Sequence, residues 1–390
     1  MKKIIYFDNA ATTPVMEEAL KEMLPYFSGN YGNASSIYRL SRASKTALKM
    51  ARERVASLIG AMPSEIIFTS GGTESNNFAI KGTARALKKK GTHIITTAIE
   101  HHAVLNTCKA LEEDGFEVTY LPVDRYGLID IYDLASEIRD DTILISIMFA
   151  NNEIGTIEPI REIGRLAAEK GIYLHTDAVQ AAGHIRIDVN EAEIDLLSLS
   201  GHKLGAQKGI GALYVREGTD IRRLMDGGGQ EKGLRAGTEN IPAIAGLGMA
   251  CEIAGAELCC EEARLSRLRD RIINSILEII PCSRLNGHPE KRLPGNCNIS
   301  FDYLDGSSLV SALDAFGICA SSASACSASS RGPSHVLSAI KAGGGTLRLS
   351  LGRKNTEAEA DYLISVLPGV VERLRNMSPE YEAYLKNIRL

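Results

Sequence analysis

The run Ile143-Leu144-Ile145-Ser146-Ile147-Met148-Phe149, a helical stretch from Ile160 to Lys170, and a second short apolar run, Ile172-Tyr173-Leu174-His175, decide the fold. Two nearly continuous apolar strands joined by a helix suit a parallel pair, because parallel neighbours need a crossover long enough to hold a helix. The alternation extends outward in both directions. Toward the N-terminus it takes in Ile66 to Ser70, His93 to Ala98 and Glu117 to Leu121, with helical composition at Asn76 to Lys90 and Ala103 to Asp114. Toward the C-terminus it takes in Leu196 to Ser200 and Gly209 to Val215. Strands of this kind predict an α/β fold built on a mainly parallel seven-stranded sheet covered on both faces. An amphipathic helix over 40–59, with Ala47, Ala51, Val55 and Ile59 on one side and Lys45, Lys49 and Arg52 on the other, is expected to rest on it.

From about Gly246 to Ile280 the pattern turns helical, and new strand-like runs follow at Asn298 to Phe301 and Leu347 to Leu351. Helical patterns at Ser308 to Phe316 and Thr356 to Met377 lie between and after them. This predicts a large domain over 15–255 and a smaller α+β domain made of 1–14 plus 256–390.

The 390 residues include 44 basic and 48 acidic side chains, a net charge of −4. Without a basic excess, an electrostatic nucleic-acid binder is excluded. A hydrophobic fraction of 44% with 24% charged residues excludes a disordered chain. No run of about 18 apolar residues predicts a membrane span, and the apolar start stops at Asp8, too soon for a secretory signal. The 8 cysteines lack the paired spacing of a zinc site, so no metal is expected, and reduced thiols in a cytoplasmic protein are the default reading.

In such sheets ligands bind at the carboxyl ends of the strands, so the polar residues just past each apolar run are the candidates. Thr69-Ser70-Gly71-Gly72-Thr73-Glu74-Ser75-Asn76 follows one strand and opens a helix. Glycines let the backbone approach closely and helix-start amides attract phosphate, although the same composition also suits a plain N-cap. Asp177, after Tyr173-Leu174-His175-Thr176, suits a partner for a protonated ring nitrogen or a cap for the next turn. Lys203, in Ser198-Leu199-Ser200-Gly201-His202-Lys203, sits where solvation is poor, and a lysine so placed suits Schiff-base chemistry. His101, in Glu100-His101-His102, suits either stacking on a planar cofactor or a helix start. Arg348 offers a planar fork of donors that grips a carboxylate in two places; its bland role is a surface ion pair.

A phosphate cradle, a Schiff-base lysine, an acid for a pyridinium nitrogen and a stacking surface are the parts that pyridoxal phosphate needs. With them in view the chain resembles the cysteine desulfurases of pyridoxal-phosphate fold type I, in the class V aminotransferase group, of the NifS/IscS type. The resemblance runs from Tyr6-Phe7-Asp8-Asn9-Ala10-Ala11-Thr12-Thr13-Pro14 to Arg348-Leu349-Ser350-Leu351-Gly352-Arg353. It implies that Lys203 binds the cofactor covalently, that His101 stacks on its ring and moves protons, and that Asp177 pairs with the ring nitrogen. It further implies that Gln180 bonds the phenolic oxygen, that Asn152 lies near cofactor and substrate, and that Gly72, Thr73, Ser200 and His202 hold the phosphate. Thr238 would reach the phosphate of a neighbouring subunit, so a homodimer is expected. Arg348 would bind the carboxylate of L-cysteine.

Cys326 lies in Ala320-Ser321-Ser322-Ala323-Ser324-Ala325-Cys326-Ser327-Ala328-Ser329-Ser330, a tract too small-sided to bury much apolar area. It is expected to move and to leave the thiol available as a nucleophile. By resemblance, Cys326 takes sulfur from L-cysteine as a persulfide, releasing L-alanine, and passes it to an acceptor or scaffold protein, as in iron–sulfur cluster assembly. Cys319 and the Cys259-Cys260 pair are expected to be structural. Departures from the family pattern are the glycine-rich Lys341 to Thr346 segment, Asp226 where many members carry His, and Gln207 in place of a common Pro. Rival readings are a selenocysteine lyase or another class V enzyme, and a non-catalytic sulfur or cluster carrier that would use Cys326 with Cys319 or Cys297.

Overall fold

The computed structural model describes residues 4–322 and 334–388. In chain order its strands are β1 (Ile5–Tyr6), β2 (Ile66–Thr69), β3 (His93–Thr97), β4 (Glu117–Leu121), β5 (Thr142–Ser146), β6 (Tyr173–Asp177), β7 (Leu196–Ser200), β8 (Gly211–Val215), β9 (Ser283–Leu285), β10 (Asn296–Phe301), β11 (Ile318–Cys319) and β12 (Gly345–Ser350). β2 to β8 are the seven expected strands, and they form one sheet in the order β2-β8-β7-β6-β5-β3-β4. All its pairings are parallel except those of β8, which runs antiparallel to both neighbours. β8 follows β7 after only a short turn, too short for the crossover a parallel partner requires. The expected mainly parallel sheet is therefore present, with one strand reversed.

β3, β5, β7 and β8 are buried along their whole length and β6 at every residue but Tyr173, which explains why their sequences read as continuous apolar runs rather than alternating ones. Helix Ser41–Ile59 buries the Ala47, Ala51, Val55 and Ile59 stripe, ending at Gly60 in the left-handed conformation (φ 72°). β4 and β5 flank β3 on opposite sides, so the winding of the chain reverses there, the position at which open sheets of this kind bind ligands.

A three-stranded antiparallel sheet, β12-β10-β9, has its own apolar core. Ile299, Leu347 and Leu349 from the sheet pack there with Ile272, Leu309, Leu363 and Phe7. β1 pairs with β11, which carries the chain's start into this second core. Helix Ile241–Ile279, 39 residues long, runs through both cores, burying Ile244, Leu247 and Cys251 in one and Leu265, Leu268 and Ile272 in the other. A window of this helix has the length and composition of a membrane span, which the sequence expectation had excluded. In the fold that window is partly covered by protein, and Glu252, Glu257 and Arg264 carry ion pairs on its outer side. The Cys259-Cys260 pair is exposed on this helix, so the expected structural role does not come from core packing.

Candidate functional site

The helix after β2 starts at Gly72, one residue before Thr73, the residue expected to start it, and runs to Leu87. Its cap residue is Gly71, and no side chain caps it; Thr73 lies inside the first turn. Glu74 Oε2 instead accepts from the Ser70 amide at 2.7 Å. A Cβ on Gly72 would sit 2.6 Å from Val179 Cγ2 and 3.5 Å from Ser200 Cβ, so only glycine lets this turn come so close to the ends of β6 and β7. Thr73 is exposed there. This is a cradle of bare amides at the positive end of a helix, beside the Ser200 hydroxyl, and it fits a phosphate.

Asp177 ends β6 and is 6% exposed. Its Oδ1 accepts from the Val179 amide at 3.0 Å and its Oδ2 from Asn76 Nδ2 at 2.6 Å. Two strand positions earlier, His175 bonds Ser146 Oγ at 2.8 Å and Ser198 Oγ at 3.0 Å, and burial pushes its imidazole down to about 3, so it stays neutral.

Lys203 closes the short 3-10 turn Gly201–Lys203 after β7. Its Nζ donates to the carbonyl of Ala10 and, at 2.7 Å, to that of Ala11. Gln180 Nε2 donates to the same Ala10 carbonyl at 3.0 Å. Thr13 bonds the His202 carbonyl through both its amide (3.0 Å) and its hydroxyl (2.9 Å). His202 Nδ1 lies 3.1 Å from Thr12 Oγ1. Burial, with Lys203 and Lys208 adding to it, pushes the His202 ring down to about 4. The segment 8–13 is thus drawn across the ends of β6 and β7, although nothing in its own composition marks it as part of a site.

His101 leaves β3 at the switch point and is the N-cap of helix His102–Glu113, its Nδ1 accepting from the Ala103 amide at 3.1 Å. Beneath it Glu100 is wholly buried, its Oε1 accepting from Thr97 Oγ1 at 2.9 Å and the Met148 amide at 2.8 Å. Burial pushes this carboxyl well above the usual carboxylate range. Of the two adjacent asparagines, Asn151 is consumed by structure: its side chain bonds the Ile99 carbonyl and the amides of Glu153 and Ile154. Asn152, half-buried, offers its carbonyl to Arg348 Nη1 at 3.3 Å.

Arg348 lies within β12 rather than at the head of the run, and at 1% exposure it is no surface ion pair. Its Nη2 bonds Asp8 Oδ1 at 2.8 Å. Its Nε has no partner among the described residues, and leaving a buried donor unpaired costs about 1–3 kcal/mol. Arg348 also exchanges backbone bonds with Ser321, 2.6 and 3.1 Å. On the far side of the small-residue tract, Ser334 Oγ donates to Glu153 Oε2 at 2.6 Å and His335 Nε2 to the Glu100 carbonyl at 2.9 Å. Cys326 itself lies outside the described residues. Cys319 is half-buried on β11, paired with Tyr6. Thr238 is exposed on a loop held by the Arg235–Glu74 ion pair (2.8 Å) and by the buried Glu231–Arg52 pair (2.6 Å).

The sequence reading assigned no role to Asn76, Asp8 or the Ala10 and Ala11 carbonyls. Asn76 and Asp8 stood inside the quoted motifs, and buried polar side chains in helical or apolar surroundings were the available signal. Among the described residues no group of His, Cys, Asp and Glu is arranged to hold a metal ion. The groups that meet here fit pyridoxal phosphate: amides for its phosphate, a carboxylate for its ring nitrogen, an amine for its aldehyde, and an acceptor, Asn76 Oδ1, buried beside that carboxylate with no partner among the described residues.

The family model described as aminotransferase class-V matches residues 5–363. A protein from Methanosarcina thermophila named "Cysteine desulfurase IscS" is 57% identical over 97% of this chain and 94% of its own length. Among solved structures, a "NIFS-LIKE PROTEIN" superposes with a TM-score of 0.90 at 38% identity, covering 95% of this chain and all of that one (100%). A structure titled "SspA in complex with cysteine" has a TM-score of 0.79 at 41% identity, over 90% of this chain and 99% of that one.

Proposed function

The chain belongs to the aminotransferase class-V family and, within it, to the cysteine desulfurases, and from that premise we propose that it holds pyridoxal phosphate on Lys203 and moves the sulfur of L-cysteine onto Cys326. The observation that carries this reading is the meeting of four separated chain segments: Asp8 holds Arg348, the Ala10 and Ala11 carbonyls hold Lys203, and Gly72 packs on Val179, whose amide bonds Asp177. When bound, pyridoxal phosphate supplies an electron sink that acidifies the α-carbon of an attached amino acid.

The protein's own groups do the rest. Arg348, backed by Asp8, binds the substrate carboxylate through its free Nε–H. The Lys203 amine, which the Ala10 and Ala11 carbonyls orient, would tether the cofactor and serve as the base for the α-proton. His101 moves protons at the other face. Cys326 attacks the substrate sulfur as a thiolate: its S–S bond forms as the substrate C–S bond breaks, and protonation of the carbon fragment yields L-alanine. L-cysteine plus a thiol thus becomes L-alanine plus a persulfide, with no outside oxidant.

On this reading 15–255 form the cofactor lobe, with 1–14 and 256–390 forming the thiol-bearing lobe. The persulfide passes to an acceptor or scaffold protein in the cytoplasm, with iron–sulfur cluster assembly as one destination. We assign Thr238 to the phosphate of a second subunit. Its exposed loop and the exposed apolar side chains Phe27, Tyr31, Ile37 and Tyr38 support a homodimer. The direct test is an assay of L-alanine and sulfide from L-cysteine with dithiothreitol as acceptor; the two should form in equal amounts, and absence of both from cofactor-loaded protein refutes the reading.

Arg348→Ala should raise KM for L-cysteine by a factor corresponding to about 1.5–3 kcal/mol, the range for a charge-assisted hydrogen bond. Because Asp8 loses its partner, the variant also loses stability, so cofactor loading is measured alongside. An unchanged KM in loaded protein contradicts the assignment.

A further inference from the structure

We propose that Asn76 is a positioning residue for the site: with the Val179 amide, its side chain clamps the Asp177 carboxylate in a single orientation toward the ring nitrogen of the cofactor. The inference rests on the assignment of Asp177 made above.

Asn76 is a poor choice on structural grounds alone. It sits inside helix Gly72–Leu87 and is 1% exposed, where an amide side chain disfavours the helix and resists burial. Its hydrogen bond goes to Asp177, 2.6 Å from Nδ2 to Oδ2, in the short range of charge-assisted bonds. A carboxylate is acceptor-only, so the amide must present its NH2 there, which strands Oδ1 with no donor among the described residues. Each carboxylate oxygen thus receives one donor, Asn76 from the helix and Val179 from the turn after β6. Donors on two separate elements fix the plane of the carboxylate, which one donor leaves free to rotate.

The placement couples two ends of the cofactor. Asn76 lies four residues after Gly72, so these two buried positions share one face of the helix a turn apart. One rigid helix therefore offers amides to the phosphate and, a turn later, orients the partner of the ring nitrogen. The donated N–H also stabilises the ionised carboxylate. Without it the carboxylate plane is free to turn, its pairing with the ring nitrogen would weaken, and the ring would withdraw electrons less strongly. The loss then falls on kcat rather than on KM, because substrate is gripped elsewhere, by Arg348.

The test compares full-length wild type with Asn76→Ala, Asn76→Asp and Asp177→Ala. The readouts are pyridoxal phosphate affinity, the pH titration of the lysine-bound visible band, kcat and KM for L-cysteine, and the melting temperature of the cofactor-free chain. Asn76→Ala should weaken cofactor binding and lower kcat roughly tenfold each, as second-layer partners of a bound group do, with the titration midpoint moved upward and KM within about twofold of wild type. Asn76→Asp keeps the shape but opposes two carboxylates, so its band should shift further still. Asp177→Ala should be the most affected. If the Asn76 variants lower only the melting temperature of the cofactor-free chain while affinity and titration match wild type, Asn76 is merely structural and the proposal is overturned. If Asp177→Ala also binds and titrates as wild type, the assignment of Asp177 fails first and takes the proposal with it.

Discussion

Cys326→Ala should bind pyridoxal phosphate with the wild-type visible band and yet lose L-alanine and sulfide formation from L-cysteine by on the order of a thousandfold or more. The size follows from the chemistry. Breaking the substrate C–S bond needs an acceptor for the sulfur, and the thiolate at residue 326 splits that step into two easier ones. Removing a covalent nucleophile typically leaves only the contribution of binding and electrostatics. The specificity of the loss is what makes the experiment informative. Arg348, Asp8, Lys203 and Asp177 are held by hydrogen bonds that do not involve residue 326, so cofactor and substrate should still bind, and the variant should show the spectral change on adding L-cysteine without turning over. The other thiols are poor substitutes: burial pushes Cys108, Cys251 and Cys297 each up to about 12 and raises Cys319, Cys282 bonds the Tyr384 hydroxyl, and Cys259 and Cys260 lie on the outside of the long helix. Wild-type turnover in Cys326→Ala refutes the role.

Lys203→Ala should lose both the lysine-bound band and turnover, the latter by at least about a hundred- to ten-thousandfold, the usual range for an acid–base group. Two roles converge on this side chain, covalent tether and base, so the larger figure is expected. Its amine is aimed by the Ala10 and Ala11 carbonyls, which lie 193 and 192 residues away in sequence. Borohydride reduction followed by peptide mass analysis measures the tether directly. In wild type the cofactor should be trapped on the peptide containing Lys203, and in the variant on none. Trapping at another lysine, or unchanged turnover in Lys203→Ala, removes Lys203 from the chemistry. A non-catalytic carrier would show no trapping in either protein.

These outcomes bear on different layers of the molecule, and the layers differ in how visible they are from the chain alone. The central sheet was legible because parallel strands buried on both faces must be apolar throughout, and Ile143 to Phe149 or Leu196 to Ser200 have no other reading in a chain of this composition. The candidates Asp177, Lys203 and His101 were legible because a site at strand ends places polar residues immediately after such runs. The reversed strand β8 and the short strands β1, β9 and β11 were not, since brief segments carry too few residues for a period to show.

Local patterning therefore determined the α/β architecture and which strand ends carry reactive groups, because burial and backbone geometry act over neighbouring residues. Only the folded arrangement decided what each group faces: Asn76 on Asp177 from 101 residues away, Asp8 on Arg348 from 340, and the Ala10 carbonyl under Lys203. Hydrogen bonds and ion pairs act over a few ångströms of space, with no regard for distance along the chain, so no periodicity records them.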